Sequence, residues 1–396
     1  MLNRRIALFL LLVFLTCNLS SCWSRRELNE MAIVVGAGVD VGQKEKIRLT
    51  LQIANPAAFA GGATEGGGGQ SSASWTVWSE GETVMDAERL LAQKVPRGIY
   101  WGHSSLLVIG EEVARRDVTL VTDFFQRDRA PRETAWLTVA KGKAEDILKT
   151  HSELSKTSAQ AAGFLNHLKT GYSIQVRELP ELIAEKGVQP VVTAVAIEKT
   201  SLAPVKGDKT EPSNQIALSG VGVFKNEKLI GWMDSGETRG ILWLKNMPLI
   251  GIINVSSPEE PDKKISISIR GNKTQIIPQY DGQNLSFLVK IKAQGDLVEQ
   301  EGKEVISTPE KIKALEGQMA KAIEDKIKIS VDKAQNEFKV DIFGFGNAFH
   351  RKYKREWQEL KYRWDEEFSR ADIRFDVETN IREIGIATNR LLYYEE

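Results

Sequence analysis

The stretch Met31–Val41, MAIVVGAGVDV, decides the fold of the first half of the chain, because it is apolar almost throughout and carries two glycines. A turn-like Gly-Gln-Lys follows it, and residues 47–53 then alternate between apolar and polar side chains. Alternation with a period of two places one set of side chains on one face of a strand. We therefore predict two strands that pair antiparallel through a short turn.

Gly36 and Gly38 within this stretch also resemble part of a nucleotide-binding fingerprint. The third glycine of the dinucleotide-binding spacing is missing, and the element that follows is predicted to be a strand instead of a helix. We interpret the two glycines as positions where another element packs closely against the strand.

Outward from this hairpin, strand and helix patterns alternate along the chain as far as residue 197. The predicted strands lie at 75–78, 104–109, 135–140 and 191–197, and the predicted helices begin at Thr83 and cover 118–125, 143–149, 157–169 and 177–186. The Thr83 hydroxyl is suited to accept a hydrogen bond from a main-chain amide of the first helical turn. This order of elements favours sheets that are covered by helices.

The second half of the chain is predicted to be rich in half-buried antiparallel strands. These patterns comprise a short hairpin around Asn226 (217–224 and 228–233), a helix at 236–244, and strands at 265–269, 285–291 and 373–381. Each of the last three alternates apolar and polar residues, which is typical of a sheet with one face in the core.

Two long helices are predicted near the C-terminus. The first begins with Thr308 as its N-cap and Pro309 at its first position, and its apolar stripe continues to Phe338. In the second, one arc of the helix collects six apolar residues, namely Phe349, Tyr353, Trp357, Leu360, Trp364 and Phe368. We interpret this face as core. The predicted fold class is α+β and multi-domain, with mixed or antiparallel sheets packed with helices.

The domain boundaries are predicted from length and from one polar stretch. A chain of 396 residues exceeds the size of one ordinary core. Residues 199–214 are rich in proline, glycine and charge and form the best linker candidate. We predict an N-terminal domain at 22–198 and a C-terminal region at 215–393, with an alternative division of that region into 215–255 and 256–393.

The first 21 residues are predicted to be a lipoprotein signal peptide. Two arginines precede an apolar run at 6–15, as in export signals, and Leu19-Ser20-Ser21-Cys22 resembles a bacterial lipobox. In lipoproteins of this kind, cleavage leaves the cysteine as the first residue, with acyl chains such as palmitate attached. Cys22 is therefore the predicted lipidation site, and Cys17 leaves with the signal peptide. Two or more acyl chains anchor a protein stably to a membrane.

The composition excludes several classes of protein. Lysine plus arginine and aspartate plus glutamate each number 53, so the chain has no overall basic field with which to hold nucleic acid. No apolar run approaches the roughly 20 residues of a membrane-spanning helix, which excludes a polytopic transporter. Two cysteines and four histidines are too few for a disulfide scaffold or a Cys/His zinc cluster.

No set of residues marks a catalytic, cofactor-binding or metal site. His103 is a candidate general base, but the sequence marks no nucleophile or orienting carboxylate for it. Residues 341–346, DIFGFG, superficially resemble a kinase metal motif, but the other kinase motifs are missing. We therefore predict that the protein is not an enzyme and needs no cofactor or metal.

Seven stretches stand out together along the chain. They are CWSRREL from Cys22, VVGAGVD from Val34, WGHSSLLVIGEEVAR from Trp101, DFFQRD from Asp123, GVGVFKNEKLIGWM from Gly220, ETRGILWL from Glu237 and DIFGFGNAFHRKYKREWQELKYRW from Asp341. Together they resemble the Ger(x)C family, the C subunits of spore germinant receptors, and the resemblance covers the chain from Cys22 almost to its end.

The resemblance implies a lipid-anchored, non-enzymatic subunit needed for nutrient-triggered germination. It implies a place on the outer face of the inner spore membrane, beside an A subunit and an integral-membrane B subunit. Whether this subunit binds a nutrient directly is left open. The alternative is an extracytoplasmic solute-binding lipoprotein, although its lobes would normally contain long parallel βαβ runs.

Overall fold

The computed structural model describes residues 27–56, 73–152, 154–200, 213–247, 251–302 and 308–383, together with Arg4, Ile6 and Ile306. Within these ranges the chain forms two mixed β-sheets with helices packed on both. The predicted α+β class is confirmed. Short 3-10 turns at Leu28–Glu30 and Gln43–Glu45 flank the first strand.

The first sheet is formed by ten strands, β1 to β10, and its order mixes neighbouring and distant segments. In chain order the strands are Met31–Val41, Ile47–Ala54, Ser74–Gly81, Gly98–Tyr100, Leu106–Ile109, Trp136–Ala140, Ile174–Gln175, Val191–Thr200, Ser213–Lys225 and Lys228–Met233. They lie in the order β10-β9-β8-β6-β5-β1-β2-β3, with β4 beside β1 and β7 beside β6. β1, β5, β6 and β8 pair in parallel, whereas β1 and β2 form the predicted antiparallel hairpin.

Helices cover both faces of this sheet. Helices α1 to α6 are Val84–Ala92, Glu111–Arg116, Thr119–Arg127, Ala144–Lys149, Ser158–His167 and Glu178–Ala184. The Thr83 hydroxyl accepts a hydrogen bond from Asp86 N at 3.1 Å, which confirms the predicted N-cap of α1. α4 and α5 form one hydrophobic cluster with strand residues such as Leu106 and Val108, and α1 to α3 contribute to the main core.

Gly36 and Gly38 lie where α4 and α5 press against β1. A Cβ atom at Gly36 would lie 2.5 Å from the Cβ of Ala159, and one at Gly38 would lie 3.0 Å from the Cβ of Ala144. The interpretation of these glycines as close-packing positions is therefore confirmed. Asp40, two residues after Gly38, is also buried. Its carboxylate accepts hydrogen bonds from the amides of Ala144 and Glu145 and so fixes the start of α4.

The second sheet has four strands and is covered on one face by a long helix. After α7 (Ser235–Leu244), strands β11 to β14 are Ile252–Ser256, Lys264–Tyr280, Leu285–Gln300 and Asp372–Glu383. β11, β12 and β13 are antiparallel neighbours, whereas β13 and β14 are parallel. Helix α8 (Pro309–Lys333) begins at the predicted Thr308 cap and buries Leu315, Met319, Ile323 and Ile327 completely.

The prediction of a single helix through residues 349–368 is wrong. The structure has three short helices, α9 to α11, at Phe345–Lys352, Lys354–Leu360 and Trp364–Arg370. The chain bends at Tyr353 and Arg363, where the backbone is not helical. In a straight helix, residues 349 and 364 would lie about 22 Å apart. The bends bring the rings of Phe349 and Trp364 to 5.5 Å, so that the aromatic residues form one cluster.

The predicted linker falls largely outside the described residues. Its ends are strand residues, since Thr200 in β8 lies opposite Ser213 in β9, and positions 201–212 are not described. β9 and β10 extend the first sheet, and α7 then leads to the second. The domain boundaries at 198 and 215 stay a prediction.

Candidate functional site

The two sheets meet at a junction organised by the buried carboxylate of Asp341. Its Oδ1 accepts hydrogen bonds from the amides of Phe343 and Gly344, both at 2.9 Å, and its Oδ2 accepts one from the amide of Gly346 at 2.7 Å. The indole Nε1–H of Trp364 also donates to Oδ2, at 3.2 Å. Burial raises the pKa of Asp341, and these four hydrogen bonds oppose that effect. The DIFGFG stretch is therefore a tightly bonded turn that starts α9.

The loop before β8 packs directly on this turn. Gln189 N donates to the carbonyl of Asp341 at 2.6 Å, which joins the first sheet to the second through the main chain. Gly187 has a positive φ of 83°, and a side chain there would overlap the ring of Trp357. A side chain at Gly346 would overlap the carbonyl of Gly187. Two glycines thus permit close contact between the halves of the molecule.

A second contact fixes the end of α7 on strand β12. The Asn246 side chain accepts from the amide of Thr274 at 2.5 Å and donates to the carbonyl of Thr274 at 2.9 Å. The Thr274 hydroxyl donates to the carbonyl of Trp243 at 2.8 Å. Asn246 itself has a positive φ of 54°, as is common where a helix ends. These bonds fix the main chain on both sides of Lys245, which lies at the boundary of the two sheets.

Between these two contacts lies a cleft of about 800 Å³, within the size range of ligand sites. Its walls come from three separate parts of the chain: the loop at 185–188, the end of α7 with strand residues 274–278, and the turn and helix at 343–352. The charged residues that line it are Glu185, Lys245, Arg351 and Lys352, so cations outnumber carboxylates. Burial lowers the pKa of Lys245, although the carboxylates of Asp341 and Glu185 counteract this effect.

The residues singled out from the sequence have different outcomes. Cys22, the predicted lipidation site, lies outside the described residues. His103 is exposed, and its ring meets Tyr100 edge-on with 5.7 Å between the ring centroids. Of the six residues predicted to form one apolar face, five are buried and Tyr353 is partly buried, and they lie in the core.

Sequence reasoning missed Asp341 and Lys245. Asp341 carried a usable signal, because an aspartate followed by two closely spaced glycines is typical of a side-chain-bonded turn. Lys245 carried none, since its surroundings are assembled from segments that are about 30 to 100 residues away along the chain.

Among the described residues, no helix combines the length and the apolar content that crossing a bilayer requires. In the same part of the chain, no group of three or more His, Cys, Asp or Glu side chains is placed to hold a metal ion.

Comparison with known proteins gives matches over almost the whole chain. The family profile described as "Spore germination protein N-terminal domain" matches residues 24–197, and that described as "Spore germination B3/GerAC like, C-terminal" matches residues 219–385. Spore germination protein KC of Bacillus subtilis (strain 168) is 29% identical over 399 residues, which cover 98% of this chain and 97% of that protein. Spore germination protein YndF of the same organism is 26% identical, with 97% and 98% covered.

A solved structure shares the fold. The crystal structure of the GerBC protein superposes with a TM-score of 0.54 and covers 87% of this chain and 96% of that chain. The two sequences are 20% identical, so this similarity concerns the fold alone.

Proposed function

The chain belongs to the spore germination B3/GerAC-like family, and on this premise we propose that it is the lipid-anchored C subunit of a nutrient germinant receptor. A role in spore germination follows from homology to the relatives described above. The main support for the proposal is that the family's N-terminal and C-terminal profiles match one after the other along the same chain. The relatives named above match over nearly their whole length, which supports the same role for this chain.

In this proposal the protein sits on the outer face of the inner spore membrane, beside the A and B subunits of the receptor. Four residues lie between Cys22 and Glu27, where the described fold begins, and the five steps from one Cα atom to the other span at most about 18 Å. An acylated Cys22 would therefore hold the first sheet close to the lipid surface. Tethering raises the local concentration of a domain around its membrane partners, so weak individual contacts suffice for assembly.

The proposed role is one of assembly and signalling, without catalysis. The two buried aspartates whose pKa is raised by burial, Asp40 and Asp341, both use their carboxylate oxygens to accept main-chain amides. Such contacts fix backbone geometry. Their arrangement supports a rigid scaffold that presents surfaces to other subunits.

The experiment replaces Cys22 with Ala in sporulating cells, with Cys17→Ala as the matched control. Cys22→Ala should abolish incorporation of labelled palmitate, move the protein out of the membrane fraction and impair nutrient-triggered germination. Cys17→Ala should change none of these, because that cysteine leaves with the signal peptide. Membrane-bound Cys22→Ala protein with a normal germination response would contradict the proposal.

A further inference from the structure

The bend between helices α9 and α10 carries a group of cations that no described carboxylate neutralises. Residues 350–355, HRKYKR, contain four lysines or arginines and no acidic residue. These four side chains, which we call the basic patch, are all exposed: Arg351, Lys352, Lys354 and Arg355. Within the described part of the chain none of them forms an ion pair, although the Lys352 ammonium donates to the carbonyl of Pro278 at 2.8 Å.

Other helices of the protein pair their surface cations with carboxylates four residues away. Such pairs lie on α2, α3 and α8 at 2.5 to 2.8 Å, namely Arg115 with Glu111, Arg127 with Asp123, and Lys321 with Asp325. Glu356 and Glu359 on α10 are close in sequence to the basic patch, but neither lies within ion-pair distance of its described cations. The patch is therefore a local positive field on a chain whose charges balance, and it attracts an anionic partner.

An exposed tyrosine extends this surface at the other end of α10. Tyr362 is 82% exposed, and the Lys361 ammonium lies 4.9 Å from the centroid of its ring. The backbone stays helical through Lys361, and Tyr362 follows Arg355 by about two helical turns, so both lie on the same side of α10. An aromatic ring with a hydroxyl, placed among cations, suits the boundary between lipid tails and headgroups.

The topology of the first sheet places this surface near the predicted lipid anchor. β1, β5, β6 and β8 are parallel neighbours, so all four start at the same end of the sheet. The chain enters β1 at that end, a few residues after Cys22. The loop at 185–189 leads into β8 at the same end, and it contacts α9 through a hydrogen bond from the Asn347 side chain to the Glu185 carboxylate. Three strand spacings, about 14 Å, separate β1 from β8.

Helix α10 turns its buried face towards this loop and its cations away from it. The Trp357 ring packs against Gly187, where a Cβ atom would lie 2.3 Å from the ring. Arg355 precedes Trp357 by two residues, which is a rotation of about 200° around the helix axis, so Arg355 points away from the loop. The basic patch and the predicted anchor are therefore placed to meet one flat surface.

We propose that the basic patch and Tyr362 bind the anionic headgroups of the membrane that holds the protein. The cations pair with lipid phosphates, and the Tyr362 ring enters the interface beside them. The exposed ring among the cations favours a lipid surface over an acidic protein. This inference rests on the anchoring proposed above for the nearness of the bilayer, and it adds a second contact that fixes how the protein is oriented on the membrane.

The test uses the full chain with Cys22→Ala, so that the result does not depend on acylation, and measures co-sedimentation with lipid vesicles. Neutral vesicles consist of phosphatidylcholine, and anionic vesicles of phosphatidylcholine and phosphatidylglycerol in equal amounts. The variant Arg351→Gln/Lys354→Gln/Arg355→Gln keeps Lys352, which is bonded to the main chain. At about fivefold per cation, it should bind the anionic vesicles roughly 100-fold more weakly than the parent chain. Binding to neutral vesicles should be the same for both, and high salt should remove the difference on anionic ones.

The matched control removes three exposed lysines from α8, as Lys313→Gln/Lys321→Gln/Lys328→Gln. It changes the net charge equally and should bind anionic vesicles almost as the parent chain does. Tyr362→Ser tests the ring without altering charge, and it keeps the test valid if the triple variant of the patch fails to fold. It should weaken binding by a smaller factor that high salt does not remove.

Equal binding of the parent chain and the patch variant to anionic vesicles would overturn the proposal, as would an equal loss in the α8 control. The patch variant is also placed in spores with Cys22 intact. If it binds vesicles normally but impairs nutrient-triggered germination, the patch contacts an acidic protein surface, and the assignment to lipid is wrong. Neither result alters the outcome of the palmitate labelling at Cys22, so the two proposals fail separately.

Discussion

The two sheets bury their strands differently. In the first sheet, β1, β5, β6 and β8 lie between helices, and all four residues of β5 are buried. In the second sheet, β13 alternates buried and exposed residues along most of its length, because α8 covers only one face. Its outer face carries charged pairs such as Lys292 and Glu378, whose side chains are 2.8 Å apart.

This difference determines where each half of the molecule tolerates change. A strand enclosed on both faces has no solvent side on which a new atom could be accommodated. A strand with one solvated face has such a side at every second residue. Substitutions at residues 36–40 of β1, which are all buried, should therefore be costly at every position, whereas those in β12 and β13 should be costly only on the inner face.

The largest expected effect concerns the buried aspartates of the two regions. Asp341→Ala leaves three main-chain amides and the Trp364 indole without an acceptor in a dry core, so we expect a loss of about 4 kcal/mol in the free energy of unfolding. Asp40→Ala removes the acceptor of two amides at the start of α4 and should cost about 2 kcal/mol. Urea unfolding followed by tryptophan fluorescence measures both.

The comparison of the two aspartates has its own control. Asp341→Asn keeps the shape of the side chain but replaces one acceptor oxygen by an amino group, so it should lie between wild type and Asp341→Ala. Equal losses for Asp341→Ala and Asp40→Ala would show that the turn at the junction is no more critical than a helix start in the first sheet.

An intermediate effect is expected from adding one methyl group to each sheet. Gly36→Ala places a Cβ atom 2.5 Å from that of Ala159 and should destabilise the protein by about 2 to 3 kcal/mol. Gly271→Ala, in β12, meets no atom within 4 Å and should change stability by less than about 0.5 kcal/mol. Thermal unfolding of the two variants gives the difference, and similar melting temperatures would refute the distinction between enclosed and half-solvated strands.

Elements that depend on local patterns could be predicted from the sequence, whereas features that form where distant segments meet could not. The β1–β2 hairpin, the caps at Thr83 and Thr308 and the alternating strand at 373–381 were all predictable, because each depends on residues within a few positions. The bends at Tyr353 and Arg363 were not, since contacts with β12 and the aromatic cluster override helical periodicity there. The cleft around Lys245 could not be predicted either, because its three walls are far apart in sequence.

The smallest expected effect concerns Lys245, at the boundary between the two regions. Its pKa is lowered in the folded protein by burial, so between that lowered value and 10.5 the unfolded chain binds more protons than the folded one. The stability of the wild type should therefore rise with pH across this interval, and charged Lys245 should be slightly destabilising below it. Lys245→Met lacks this titration, and its unfolding free energy should exceed that of the wild type at pH 7.

The diagnostic quantity is the difference in unfolding free energy between wild type and Lys245→Met, measured by urea titration at pH 7, 8, 9 and 10. The advantage of the variant should shrink as pH rises, because the wild-type lysine is progressively neutral in the folded state. Lys273→Met, at an exposed position of the same sheet, should show a constant difference. A difference for Lys245→Met that is also constant with pH would mean that water reaches the ammonium freely, and that the junction of the two sheets is as open as their outer surfaces.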